Sequence, residues 1–105
     1  MFDLVIKKGK IFTGAGNPWF FADIAVKNGL IADIGKIHKD AKTVIETKGL
    51  AVAPGFIDLH DHSDFTILAN REAVSKVHMG VSTTVFASCG SGAAPLNEEM
   101  QDEIK

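Results

Sequence analysis

The chain has a single cysteine, Cys89, which excludes an internal disulfide and points to a reducing, cytoplasmic setting. It also lacks an excess of charge of either sign. With 11 basic residues against 13 acidic ones, a formal charge of -2 and no Lys/Arg cluster, nucleic acid is not an expected partner. Long hydrophobic runs are missing too. The N-terminus opens with Asp3 in a strand-like pattern, without a basic segment followed by an apolar stretch, so neither a membrane span nor a signal is expected. The only aromatic cluster is Asn17-Pro18-Trp19-Phe20-Phe21, which reads as hydrophobic packing of a β region rather than as a ligand site. What remains, 105 residues of which 46% are hydrophobic, is the profile of an ordinary soluble globular chain.

The first half reads as short strands over residues 2–7, 10–13, 21–27, 30–35 and 43–46, rich in Val, Ile and Phe and separated by Gly, Asn and Lys turns. Asn28-Gly29 is the strongest hairpin signal, because a two-residue type I′ turn needs positive φ twice. Lys8-Gly9 is expected to turn a second hairpin. At Pro54-Gly55 the pattern changes, and a boundary is expected there, between residues 1–54 and 55–105. Beyond it the order becomes strand (56–60), helix (66–78) and strand (81–87), with Gly80 as a helix stop. Such a βαβ unit sets its two strands parallel, and chemistry in parallel sheets gathers beyond the carboxyl ends of the strands.

His60 and His62 lie at that rim, at the end of the first parallel strand, and Cys89 lies at the end of the second. On an unbroken strand Phe56, Asp58, His60 and His62 share one face, while Ile57, Leu59 and Asp61 share the other. Two imidazoles then converge beside a carboxylate, the usual signature of a divalent metal site. Asp58 is read either as an outer carboxylate orienting a histidine ring or as a partner for a backbone donor. Asp61 is expected to face outward into solvent, and Asp64 to cap the following helix or turn. Cys89 can be a thiolate ligand or a small buried apolar residue. His38 and His78 are read as surface histidines. The Gly90 to Pro95 loop lacks the Gly-Lys-Ser/Thr ending of a phosphate loop, and Glu98, Glu99, Asp102 and Glu103 read as a solvated helix.

Taken together, Pro54-Gly55-Phe56-Ile57-Asp58, His60-Asp61-His62-Ser63-Asp64, Gly80-Val81-Ser82-Thr83-Thr84 and Ser88-Cys89-Gly90 with its small residues and Ala94-Pro95 resemble the start of a metal-dependent amidohydrolase. The Cys-Gly segment resembles the D-aminoacylase branch, the N-acyl-D-amino-acid deacylases. The one departure is Ser88, where that branch usually has Asn. The resemblance implies an α/β fold: an N-terminal β-rich region forming half of a small β-sandwich, then the first βαβ unit of an incomplete (β/α)8 barrel. It implies zinc, as one or two ions, with His60 and His62 as ligands of one metal position and Cys89 as a ligand of the other, more tightly held one. It further implies hydrolysis of the amide bond of N-acyl-D-amino acids, with the general-base Asp and the remaining histidines supplied by later barrel strands.

A complete barrel takes roughly 250 residues. The chain therefore reads as the N-terminal segment of such an enzyme, inactive alone and needing either its remaining barrel or self-association to cover the apolar surface. The small-molecule substrate is its expected partner. Two other readings stand beside this one: a cyclic-amide hydrolase of the dihydroorotase or hydantoinase type, and a non-catalytic β-rich interaction module.

Overall fold

The computed structural model describes residues 1–90, 92 and 97. The loop over 91–96, apart from Gly92, and the acidic segment after 97 lie outside the described residues. The chain is rich in strand with little helix and divides into two compact units, Met1–Pro54 and a second that begins at Gly55. No helix among the described residues is long and apolar enough to cross a membrane.

The first unit is one five-stranded sheet. Its central strand β1 (Phe2–Ile11) pairs antiparallel with β2 (Phe20–Lys27) and parallel with β4 (Ala41–Glu46) and β5 (Ala51–Val52), while β3 (Leu30–Gly35) adds antiparallel to β2. Between β2 and β3, Asn28 and Gly29 have φ of 52° and 76°, the two positive values that the hairpin turn requires. Val5 and Ala25, opposite one another in the β1–β2 ladder, are fully buried with Ile37 against Phe2 and Ala41. The next register positions, Ile6, Ile24 and Ile34, form a row on the opposite face of the sheet.

The expected turn at Lys8-Gly9 is not a hairpin. The chain runs straight through as a single strand with a β-bulge, where the β1–β2 register shifts between Ile6 and Gly9 and Lys8 takes φ of 55°. Asp23 holds the bulge in place. Its Oδ1 accepts the Lys8 amide at 2.9 Å, and its Oδ2 accepts the Ile37 amide at 3.0 Å and the Lys7 ammonium at 3.1 Å. A hairpin would have turned Lys10 and Ile11 back along β1, whereas they continue outward to pair with Phe21 and Phe20 on one side and Ala51 and Val52 on the other.

In the second unit β6 (Phe56–Asp58) and β7 (Val81–Thr84) lie parallel, joined by a 3-10 turn at Thr66–Leu68 and the helix α1 (Val74–His78). The expected 66–78 helix is thus broken in two. Thr66 and Ile67 are β-branched and Asn70 favours turns, so the segment closes as a tight turn, and Ala73 enters α1 from a left-handed φ of 45°. The 3-10 turn starts from Phe65 without a side-chain cap, so Asp64, which is buried, does not serve as the N-cap residue there. Gly80 stops α1 at φ of 80°, and its carbonyl accepts the Phe56 amide at 2.9 Å. Both strands are shorter than expected, ending at Asp58 and Thr84.

Gly55 lets these two strands approach. A Cβ there would stand 2.2 Å from Ser82 Oγ and 2.5 Å from Ser82 Cβ, a clash that no rotamer of Ser82 relieves. Gly55→Ala is therefore expected to destabilise the second unit by about 1–3 kcal/mol, as overpacking does. Thermal unfolding followed by circular dichroism checks this, and an unchanged midpoint would show that the strands do not close as tightly as described.

Candidate metal centre

The site is built where β6 stops. Asp58 Oδ1 accepts the His60 amide at 3.2 Å, and this two-residue side-chain turn bends the backbone out of the ladder just before the first histidine. A second such turn follows at once, in which Asp61 accepts the Ser63 amide at 3.3 Å and the Ser63 hydroxyl. Partial pairing with Val85, just past β7, persists through Asp58 and Asp61, whose carbonyl and amide bond it at 2.8 and 3.3 Å. His60 and His62 therefore lie on a turning segment and not on a regular strand, so the two-residue pleat does not account for their common orientation.

Their rings nevertheless meet. The centroids are 5.2 Å apart at 66°, and the two Nε2 atoms approach to 3.3 Å. From the end of the other strand, Cys89 Sγ stands 3.1 Å from His60 Nε2. Cys89 itself has φ of 56°, in a 3-10 turn at Ser88–Gly90. All three ligand atoms lie within 4.8 Å of one another, and all three residues are exposed. Two nitrogens bound at about 2.0–2.1 Å to a tetrahedral zinc stand about 3.3–3.4 Å apart, and a nitrogen and a thiolate about 3.5–3.6 Å. The His60–His62 spacing of 3.3 Å matches the first value, and the His60–Cys89 spacing of 3.1 Å is about half an ångström shorter than the second. A borderline-soft donor set of two imidazoles and one thiolate suits zinc, and three protein ligands leave a coordination position open.

The acidic neighbours are placed differently from the expectation drawn from the pleat. Asp58 meets the backbone amide of His60, not a ring nitrogen, and its other oxygen accepts the Lys76 ammonium at 3.0 Å. Asp61 does not face solvent: its side chain is only 11% exposed and pairs with the same ammonium at 3.0 Å. The alternation argument fails for Asp61 because the strand has already ended three residues earlier. Lys76 holds the Asp58 carboxyl below the usual carboxylate range, helped by the His60 amide. The Asp61 carboxyl is lowered by the Ser63 hydroxyl and, against its own desolvation, by Lys76. Lys76 is raised in turn by Asp58 and then Asp61. From the sequence alone Lys76 has no assigned role at the site. The signal that could have singled it out is a lysine on the crossover helix between two valines, Val74 and Val77, facing a strand end with two aspartates. His38 and His78 are exposed and outside the cluster.

No family model matches the chain. An N-acyl-D-aspartate deacylase of Alcaligenes xylosoxydans xylosoxydans is 41% identical over 96 residues, which is 90% of this chain and 19% of that enzyme. A solved D-aminoacylase with a binuclear metal centre superposes with a TM-score of 0.86 at 36% identity, over 91% of this chain and 20% of that one. Over about nine-tenths of its length the chain is similar to a part of these enzymes. An N-acyl-D-glutamate deacylase from Bordetella bronchiseptica, solved with zinc and a phosphonate mimic of the tetrahedral intermediate, superposes with a TM-score of 0.85 at 38% identity, over 90% of this chain and 20% of that one. The chain thus spans about a fifth of the length of the D-aminoacylases it matches.

Proposed function

We propose that this chain forms the opening segment of a zinc-dependent hydrolase of N-acyl-D-amino acids, with residues 1–54 as half of a small β-sandwich and residues from 55 onward as the first βαβ unit of a (β/α)8 barrel. The observation that carries the reading is the convergence of His60 Nε2, His62 Nε2 and Cys89 Sγ at 3.1 and 3.3 Å. These residues would hold one or two zinc ions. Bound zinc polarises an acyl carbonyl and lowers the pKa of water toward about 7. The residues of the chain position that chemistry and do not complete it. Asp58 and Asp61 are both committed to Lys76 and to backbone amides, so neither is placed to take a proton from water. The proton-accepting carboxylate and further histidines then come from later barrel strands, and the partner is a small-molecule substrate. A cytoplasmic setting suits the exposed free thiol of Cys89. The exposed Phe56, Ile57 and Leu59 beside the parallel pair favour cover by further barrel strands or by self-association.

The test is a chimera in which this chain replaces the matching N-terminal fifth of a D-aminoacylase. The expected result is zinc-dependent hydrolysis of N-acetyl-D-amino acids, abolished by chelation and restored by zinc, while the isolated chain binds zinc without turnover. A folded chimera that takes up no zinc at this position would remove the reading.

A further inference from the structure

Among the described residues, Lys76 ties both sides of the histidine pair together. Its ammonium lies 3.0 Å from Asp58 Oδ2 and 3.0 Å from Asp61 Oδ1. Asp58 in turn fixes the amide of His60, and Asp61 fixes the amide and hydroxyl of Ser63, the residue after His62. Each histidine is thereby flanked by a carboxylate turn, and one cation from α1 holds both turns.

Exposed ion pairs contribute little as a rule, because water screens them and two long side chains must be ordered. This one differs in three respects: the Lys76 side chain is 22% exposed and that of Asp61 11%, one ammonium serves two acceptors, and both acceptors also bind backbone amides. Without the lysine, two like charges three residues apart would repel. Either carboxylate could then leave its turn and compete for a divalent ion as a hard oxygen ligand.

We infer that Lys76 is a positioning residue of the metal centre, a clamp that orients His60 and His62 and keeps Asp58 and Asp61 out of the ligand set. The inference rests on the reading of His60, His62 and Cys89 as metal ligands. Its reach is the ligand geometry, through the two turns, with no contact to metal or substrate.

The experiment uses cobalt(II) as a spectroscopic substitute for zinc in the full 105-residue chain, with Lys76→Met, Lys76→Gln and Lys76→Arg beside the parent. Absorption spectra, affinity by chelator competition and the thermal midpoint of the metal-free protein are recorded for each. The parent should show the intense visible bands and thiolate charge transfer of a four-coordinate site. Lys76→Met should bind metal about 10–100-fold more weakly, the range seen when outer partners of metal ligands are removed, with weaker visible bands as oxygen ligands enter. Lys76→Arg, whose guanidinium can span both carboxylates, should recover most of the affinity and the parent spectrum.

Lys76→Gln keeps the length without the charge, so it should behave as Met does and carries the test should the Met variant fail to fold. A folded Met or Gln variant with parent affinity and spectrum overturns the clamp, even where its metal-free midpoint falls. Absence of cobalt uptake by the parent overturns the metal reading itself and the clamp with it, so the two failures are told apart by the parent alone.

Discussion

His60→Ala is expected to cost more metal affinity than any other single change in this chain. His60 Nε2 makes both short contacts of the cluster, 3.3 Å to His62 Nε2 and 3.1 Å to Cys89 Sγ, so its removal leaves two donors with no ligand between them. A loss of at least about 100-fold in zinc affinity is expected, equivalent to roughly 2.7 kcal/mol. His62→Ala and Cys89→Ala each leave an adjacent pair and should lose less, although a thiolate is replaced poorly by water. Competition against a chromophoric chelator, with bound zinc counted by elemental analysis after dialysis, ranks the three. Equal zinc occupancy in Cys89→Ala and parent would make Cys89 a packing residue.

The largest effect on stability is expected at Asp23. Its side chain is 12% exposed and serves three donors at once: the Lys8 amide of the bulge, the Ile37 amide and the Lys7 ammonium. Asp23→Ala strands both amides and leaves the Lys7 ammonium only the Ile37 carbonyl, in a sheet with a small buried core around Val5, Ala25 and Ile37, and should cost about 2–4 kcal/mol.

The same residue sets a pH dependence. Burial alone would push the Asp23 carboxyl up, but the two amides and Lys7 more than offset this and hold it below its ordinary value. A carboxyl lowered in the folded state contributes stability that is fully present above its unfolded pKa, about 3.9, and is lost as the pH falls through the folded value. The parent should therefore lose stability on acidification below about pH 5 more steeply than Asp23→Ala does. Asp3, lowered to about 2 by Lys42 and the Asn28 amide, and the lowered Asp58 and Asp61 remain in both proteins. The difference between the two pH profiles of thermal unfolding isolates Asp23. Parallel profiles would mean that Asp23 is not held as an anion in the folded sheet.

Features that depend on neighbours in the chain could be read from the sequence. The Asn28-Gly29 turn follows from the need for two positive φ values in succession, and the helix stop at Gly80 from the left-handed conformation that glycine adopts without strain. The grouping of His60, His62 and Cys89 as candidates came from their places at successive strand ends. The relation to D-aminoacylases came from the motifs around them.

Features set by partners distant in sequence were decided only in the tertiary structure. Lys8-Gly9 carries the composition of a turn. It is a bulge because Asp23, 15 residues away, claims the amide that the ladder leaves unpaired, and because β5 extends the pairing of β1. Spacing suggested one helix from 66 to 78, but side-chain periodicity does not register the backbone break at Ala73. Asp61 looked solvent-facing by alternation. It pairs with a lysine 15 residues further on because β6 ends at Asp58, and a strand end is set by where hydrogen-bonding partners run out rather than by the residues that occupy it.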